Sequence, residues 1–411
     1  MKQILMVAFH FPPFCGGSGV QRTLRFVQYL GQFGWQPRVL TVHPRAHEDT
    51  CLDLVNDVPA HTIVERAFAL DARRHLSIAK RYPGFLARPD RWASWKYDGI
   101  RKGLRMIRQL KPDVIWSTYP IATAHVIGAA LHRRTGIPWV ADFRDPMAQD
   151  GYPADTKTWA SFKAIEESAL RHATMNVFTT PGAAEMYRAR YSDVLAERIH
   201  VIENGYDDES FAGLLLEAGP LVPGKLTLLH SGVIYPGERD PTHLFSAIAA
   251  LKQAGRISPS ALAIRLRAPH HEPLLAGMIE GAGIGDIVHI APPIPYREAL
   301  SEMMRADGLL IMQGSDCNFQ IPAKLYEYFR CRRPIFGLTD PVGNTAVTLR
   351  AAGLSAIASL HDAREIAVQL DRFLGAIRAG KSALPDAAFV AQRSREQLTR
   401  QLATLLDTHI P

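Results

Sequence analysis

Short apolar runs alternate with helix-spaced apolar patterns along nearly the whole chain, and this alternation constrains the fold more than any other feature. Residues 4–9 form the first run, which suits a buried strand of a parallel sheet. It is too short to span a membrane and lacks the cleavage pattern of a signal peptide. Pro12 and Pro13 cannot donate to a ladder, so the strand ends before them. Beyond Gly16, Gly17 and Gly19, residues Val20, Leu24, Val27, Leu30 and Phe33 recur at helical spacing. Ser18 is the expected N-cap and Gly34 the expected stop. Strand patterns follow at 38–42, 113–118, 138–143, 175–179 and 199–202, with helical patterns at 121–134, 158–173 and 181–191. The Asn204-Gly205 turn signal and a loop-rich stretch to Lys225 interrupt the series.

A second series begins there. Strands are predicted at 226–230, 263–267, 287–290, 308–312 and 334–338. Helices are predicted at 241–254, 274–282, 296–304, 322–331 and 343–352, and again from about Ala363. Two doubly wound α/β domains are the natural reading of 411 residues so patterned. The expected boundaries are 1–205 and 215–385, with a helix at about 390–411 packing back on the first domain.

A glycine loop feeding a helix is either a tight βα turn or a site where backbone N–H groups and the helix dipole receive an anion. A dinucleotide fingerprint is excluded. Arg22 stands where its third glycine belongs, and the second strand ends Val42-His43-Pro44 with no acid for a ribose.

Composition limits the remaining classes. With 47% hydrophobic and 21% charged residues the chain is that of a globular protein. Cys15, Cys51, Cys317 and Cys331 are scattered, which points to a reducing compartment and no zinc site. The net charge of +7 is uneven, because residues 71–111 hold twelve basic residues against three acids, a local +9. Tyr82, Phe85, Trp92, Trp95 and Tyr97 lie among them. Such a mixture suits an anionic membrane surface, with the tryptophans in the headgroup region, or a nucleic acid; the bland alternative is a solvated helical face. The charge is local and no nucleic-acid module is recognisable, so no nucleic-acid partner is expected.

Four motifs carry a resemblance. They are Pro12-Pro13 with Gly16-Gly17-x-Gly19-Val20-x-Arg22, then Asp142-Phe143-Arg144-Asp145-Pro146, Asn204-Gly205-Tyr206-Asp207, and Ile321-Pro322-Ala323-Lys324-Leu325-Tyr326-Glu327-Tyr328. In order and spacing they resemble those of family 4 glycosyltransferases, in the branch found in bacterial exopolysaccharide and surface-glycan clusters. The resemblance implies a GT-B fold of two facing Rossmann-like domains with a cleft between them. It also implies a nucleotide-diphosphate sugar donor, a glycan or lipid-linked acceptor, retention at the anomeric carbon, and neither metal nor cofactor. A cytoplasmic enzyme, peripheral on the inner face of the cell membrane through residues 71–111, is the corresponding expectation.

The same resemblance distributes roles. A diphosphate bound without a metal needs fixed cations and backbone amides. Val233 stands where the family's first cation is expected, Arg239 takes the place of the following lysine, and Lys324 is the candidate replacement for the missing charge. Gly16, Gly17, Glu327 (at the ribose), Asn204 and Ile294 (at the base) complete the expected donor contacts. The first of the family's two glutamates falls at Phe319, with Asp316, Asn318 or Gln320 as substitutes for the sugar-hydroxyl contact. Asp142 and Arg144 are catalytic candidates, Asp145 and His125 acceptor-side candidates, and Arg22 braces the loop. The competing readings are a nucleotide-sugar 2-epimerase of the same fold and a catalytically inactive nucleotide-sugar-binding scaffold.

Overall fold

The computed structural model describes residues 1–14, 17–52, 54–79, 81–214 and 219–410. The chain forms two compact units, Met1–Asn204 with Arg395–Pro411, and Gly205–Ser394. Gly16 lies outside the described residues.

The first unit is built on a seven-stranded sheet in the order β3-β2-β1-β4-β5-β6-β7. Its strands are β1 (Lys2–Val7), β2 (Trp35–Val42), β3 (Ile63–Ala67), β4 (Val114–Thr118), β5 (Trp139–Phe143), β6 (Met175–Phe178) and β7 (Ile199–Val201). All neighbours pair in parallel; Leu5, for example, lies opposite Arg38 on one side and Ile115 on the other. The period of two sends alternate residues to opposite faces. Leu5, Val7 and Phe9 join one apolar core, while Ile4, Met6 and Ala8 join another across the sheet. A sheet buried on both faces explains why its central strands read as continuous apolar runs. The edge strand β3, Ile-Val-Glu-Arg-Ala, has no such run and is not legible as a strand from sequence.

The helix Gly17–Tyr29 follows β1, and a 3-10 turn at Leu30–Phe33 ends at Gly34, whose φ is 86°. Ser18 lies within that helix rather than before it. The helix Arg395–His409 belongs to this unit, with Leu398, Leu402 and Leu406 packed among Leu24, Val27 and Trp35. The Trp35 indole donates to Asp407 at 3.0 Å, and Lys2 Nζ donates to the Ile410 carbonyl at 2.8 Å.

The second unit holds a six-stranded parallel sheet in the order β10-β9-β8-β11-β12-β13. The strands are β8 (Leu226–Ser231), β9 (Leu262–Arg267), β10 (Val288–Ala291), β11 (Gly308–Gln313), β12 (Ile335–Thr339) and β13 (Ile357–Ala358). Leu310, Met312, Phe336 and Leu338 face one core; Leu309, Ile311 and Ile335 face the other.

Two expectations need correction. Cys51 is disulfide-bonded, while Cys317 and Cys331 are free and buried, so the scatter of the cysteines does not carry the expectation of a reducing compartment. Of the tryptophans of the basic segment one is buried and the other half-buried. Trp95 is fully buried, and the Trp92 indole donates to the Ala46 carbonyl at 3.0 Å beneath the Arg91 guanidinium. The exposed aromatic side chains there are Phe85 and Tyr97. Several cations of the segment are also committed internally. Lys102 and Arg105 pair with Glu65 of β3 at 2.6 and 3.1 Å, and Arg101 pairs with Asp98 at 2.6 Å. Among the described residues no helix is long and apolar enough to cross a membrane.

Candidate active site

In a parallel α/β sheet, ligands bind beyond the carboxyl ends of the strands. In the first unit these ends bring together the segments after β1, β4 and β5. Asp142, in β5, is fully buried and so is Arg22, from the helix after the glycine run. Arg22 NH2 donates to Asp142 Oδ1 at 2.8 Å and its Nε donates to the same carboxylate at 3.2 Å. Its NH1 reaches the Glu203 carbonyl at 2.9 Å, and Thr118 Oγ1 donates to Asp142 Oδ2 at 2.7 Å. The expectation of Asp142 as a group that orients substrate therefore gives way to a buried brace: its oxygens are engaged by Arg22 and Thr118, not by Arg144.

Arg144 lies beside the start of the helix Gly17–Tyr29. A Cβ on Gly19 would come within 2.5 Å of Arg144 NH1 and 2.7 Å of His10 Nδ1, so no larger residue fits there without displacement. Burial lowers the Arg144 pKa, opposed by the carboxylates of Asp145 and Asp142. His10 is pushed down to about 3, first by burial and then by the Arg144 charge, and is neutral at pH 7. Asp145 is half-buried. The segment after it is pinned by the buried Glu166, whose Oε2 accepts from the Ala148 amide at 3.1 Å and the Tyr187 hydroxyl at 2.8 Å. Tyr187 in turn accepts from the Met147 amide at 2.9 Å. His10 and Glu166 escaped the sequence reading, and Gly19 was read only as part of the glycine run.

His125 does not line a surface. It is fully buried, with Nδ1 2.8 Å from Ser117 Oγ and its ring 4.9 Å from that of Phe143. Burial lowers its pKa to about 4. It is a core histidine, because the helix Thr123–Thr135 turns that face onto the sheet. Asn204 is buried at the end of this unit, its Oδ1 without a partner among the described residues.

The second unit gathers its cations where β8 and β11 end. His230 is fully buried, with Nδ1 3.0 Å from the Leu310 carbonyl. A carbonyl only accepts, so Nδ1 carries the hydrogen and the Nε2 lone pair faces Lys324 Nζ at 3.1 Å. Burial, then the Lys324 charge, drives the His230 pKa well below its usual value. Lys324 opens the helix Lys324–Cys331. Its own pKa is lowered to about 7, by burial first and by Arg239 second, with Glu327 opposing. Gly232, at φ 99°, leaves room for the lysine: a Cβ there would stand 3.1 Å from Nζ.

Arg239 sits in the loop between β8 and the helix Thr242–Gln253. Its NH1 donates to the Val233 carbonyl at 3.1 Å, its Nε to Gln313 Oε1 at 3.3 Å, and its guanidinium lies 5.2 Å from the Tyr235 ring centroid. Val233 thus contributes its carbonyl where a cationic side chain was expected. Glu327, in the first turn of its helix, accepts from the Tyr296 hydroxyl at 2.7 Å. Ile294 is half-buried in the loop between β10 and the helix Tyr296–Arg305. Phe319 is 41% exposed. Of its neighbours, Asp316 is exposed and Asn318 Nδ2 donates to Asp340 at 2.7 Å. The Gln320 carbonyl accepts from Thr345 at 3.3 Å. Gln313, His230 and Tyr296 were not legible as site residues, since each acts through a neighbour distant in sequence.

Solved structures share this architecture from end to end. Sucrose-phosphate synthase from Thermosynechococcus elongatus is 14% identical, with 99% of each chain covered and a TM-score of 0.68. A lipopolysaccharide outer core galactosyltransferase is 10% identical over 99% of each chain, at 0.62. A glycosyltransferase involved in lipopolysaccharide biosynthesis is 14% identical over 98% of this chain and 99% of its own, also at 0.62. The fold is GT-B. Residues 16–205 match the family described as glycosyl transferase 4-like domain. No curated protein sequence matches the chain.

Proposed function

We infer that this protein is a retaining glycosyltransferase. It moves a hexosyl unit from a nucleotide-diphosphate donor to a glycan or lipid-linked acceptor in polysaccharide biosynthesis. The observation that carries this reading is the pair Arg239 and Lys324 at the strand ends of the second unit. Their described polar contacts are to a carbonyl, an amide and an imidazole, all uncharged. Neutral partners hold a cation in place without cancelling its charge, which leaves it for an anionic ligand. The glycosyl transferase 4-like domain of residues 16–205 supports the same reading.

In this mechanism Arg239 and Lys324 stabilise the negative charge that grows on the diphosphate as the glycosidic bond breaks. The acceptor hydroxyl attacks from the face the diphosphate leaves, and the departing phosphate takes its proton. Glu327 receives the ribose hydroxyls, and Ile294 lies against the base. Asn204 is a further donor contact. Arg144 and Asp145 orient the acceptor, while Asp142 acts only through Arg22. The enzyme works on the cytoplasmic face of a membrane, held by the exposed cations and aromatics of residues 71–111 rather than by the tryptophans. Turnover of a panel of nucleotide sugars with lipid-linked acceptors tests this directly. Transfer that requires acceptor supports it. Isomerisation of donor alone identifies a 2-epimerase, and donor binding without turnover identifies a scaffold.

A further inference from the structure

In the first unit, the segment between β5 and the helix Thr156–His172 is fastened at several points along its backbone. The Gln149 amide donates to the Tyr152 carbonyl at 2.8 Å, and the Tyr152 amide donates back to the Gln149 carbonyl at 3.1 Å. Gly151, at φ 75°, makes the turn between them. The Trp159 indole donates to the Gln149 carbonyl at 2.8 Å. Arg190 NH1 donates to the Ala148 carbonyl at 2.5 Å and to Glu166 Oε1 at 2.9 Å, while the other Glu166 oxygen takes the Ala148 amide. The buried Glu166 cluster thus gives a strand-end loop a fixed shape, which a loop with no ligand to meet would not need.

What the loop presents is Tyr152. Its side chain is 54% exposed, whereas Tyr119, after β4, and Phe143, at the end of β5, are buried. A hydrogen bond with the Tyr119 hydroxyl as donor ties Tyr152 to that buried neighbour. The Tyr119 ring is held in turn against Phe162, edge to face at 6.0 Å. Burial keeps the Tyr119 pKa well above its ordinary value, with Tyr152 and the Asp145 carboxylate adding to the shift, so Tyr119 remains a donor. Asp90, the other carboxylate near Tyr119, is spent on the Thr123 amide and hydroxyl at 2.8 Å each. Asp145 is half-buried on the same segment as Tyr152. The pair is therefore an exposed aromatic ring of fixed position with a carboxylate nearby.

A pyranose has the complementary chemistry: a face of C–H bonds that stacks on an aromatic ring, and a rim of hydroxyls that donate to a carboxylate. We propose that Tyr152 is the stacking platform for the terminal pyranose of the acceptor, with Asp145 accepting from the hydroxyls at its rim. This rests on the transferase reading above and narrows it. The acceptor already carries a sugar, so an earlier glycosyl transfer must supply it, and a bare lipid phosphate is not the acceptor.

The test uses the full chain and a panel of methyl pyranosides (glucose, galactose, mannose and N-acetylglucosamine), with binding read by saturation-transfer NMR. At least one is expected to bind saturably, with transfer concentrated on the C–H groups of one ring face. Tyr152→Ala should weaken it roughly tenfold and Asp145→Asn roughly threefold to tenfold. Tyr152→Phe keeps the ring and should stay within about threefold of wild type. Because Tyr152 is exposed, the alanine variant is expected to unfold at the wild-type midpoint. No binding by any member of the panel, equal binding by Tyr152→Ala, or transfer to farnesyl phosphate in preference to saccharides would each overturn the proposal. Kinetics separates the two readings. With a saccharide that supports transfer, Tyr152→Ala should raise the acceptor KM roughly tenfold and leave the donor KM unchanged. Transfer whose acceptor KM is unmoved in that variant loses the platform and keeps the transferase. Pyranoside binding that depends on Tyr152, without transfer to any acceptor, keeps the platform and loses the transferase.

Discussion

Arg22 in the first unit and Arg239 in the second both stand beyond the end of a central parallel strand, yet they spend their charge differently. Arg22 is fully buried against the Asp142 carboxylate, which neutralises it. Arg239 is half-buried and donates to a carbonyl and an amide. The first arrangement is a buried ion pair, whose integrity matters to the fold because removal of one partner strands the other charge. The second leaves a cation with no carboxylate bonded to it, its field opposed only by the neighbouring Glu238 and other nearby groups, and such a group is suited to binding. Similar residues at similar topological positions thus serve stability in one unit and recognition in the other.

The largest expected effect tests that contrast through stability. Arg22→Ala should destabilise the protein by about 3–5 kcal/mol, since Asp142 would keep a buried charge without its arginine. Arg239→Ala should cost less, about 1–2 kcal/mol, because it removes hydrogen bonds to uncharged acceptors and strands no opposite charge. Denaturant unfolding of both variants measures the difference, and equal losses would erase the distinction. Turnover should rank the pair the other way. Loss of a charge-assisted contact of about 1.5–3 kcal/mol makes folded Arg239→Ala roughly tenfold to a few hundredfold slower than wild type. Wild-type kinetics in that variant would remove Arg239 from the diphosphate site.

Lys324 sharpens the comparison through pH. Its folded pKa of about 7 lies below the ordinary value of 10.5, so the folded state favours the neutral amine. Between those values the unfolded chain binds more protons, and this lysine's contribution to stability rises with pH. Affinity for a diphosphate needs the ammonium, so it should fall as pH rises through about 7, by up to roughly tenfold per unit. Lys324→Arg, charged throughout, should flatten that slope in calorimetric titrations; an unchanged slope would place the titrating group elsewhere. A smaller effect is expected of Glu327→Gln, which keeps the size of the Tyr296 partner but removes its charge. Nucleotide affinity should drop by roughly threefold to tenfold with the unfolding midpoint preserved. The smallest effect is none: turnover should persist in excess chelator if Arg239 and Lys324 do the electrostatic work of a metal ion. Complete loss on chelation, restored by a divalent cation, would break the comparison at its root.

The alternation of patterns made the two parallel sheets legible, because strands buried on both faces must be apolar throughout. The same rule hid β3, whose Glu65 and Arg66 belong to a half-exposed edge, and the two-residue β13. At the site, residues within one motif were legible: Lys324 and Glu327 share the first turn of a helix. The partners that set their chemistry were not. His230 lies 94 residues from Lys324, and Gln313 lies 74 from Arg239. Asp142 and His125 were misjudged for a related reason. A carboxylate or imidazole near a strand end resembles a working group until the arginine or serine that occupies it is known, and those occupants came from other elements.

The helix Arg395–His409 also bears on the order of events during synthesis. The first unit's apolar layer around Leu24, Val27 and Trp35 is completed by Leu398, Leu402 and Leu406, which the ribosome supplies only after the whole of Gly205–Ser394 has emerged. Until then the nascent first unit carries an uncovered greasy face, a natural target for chaperones. The second unit, contiguous in sequence, has all its residues in hand sooner and can close first.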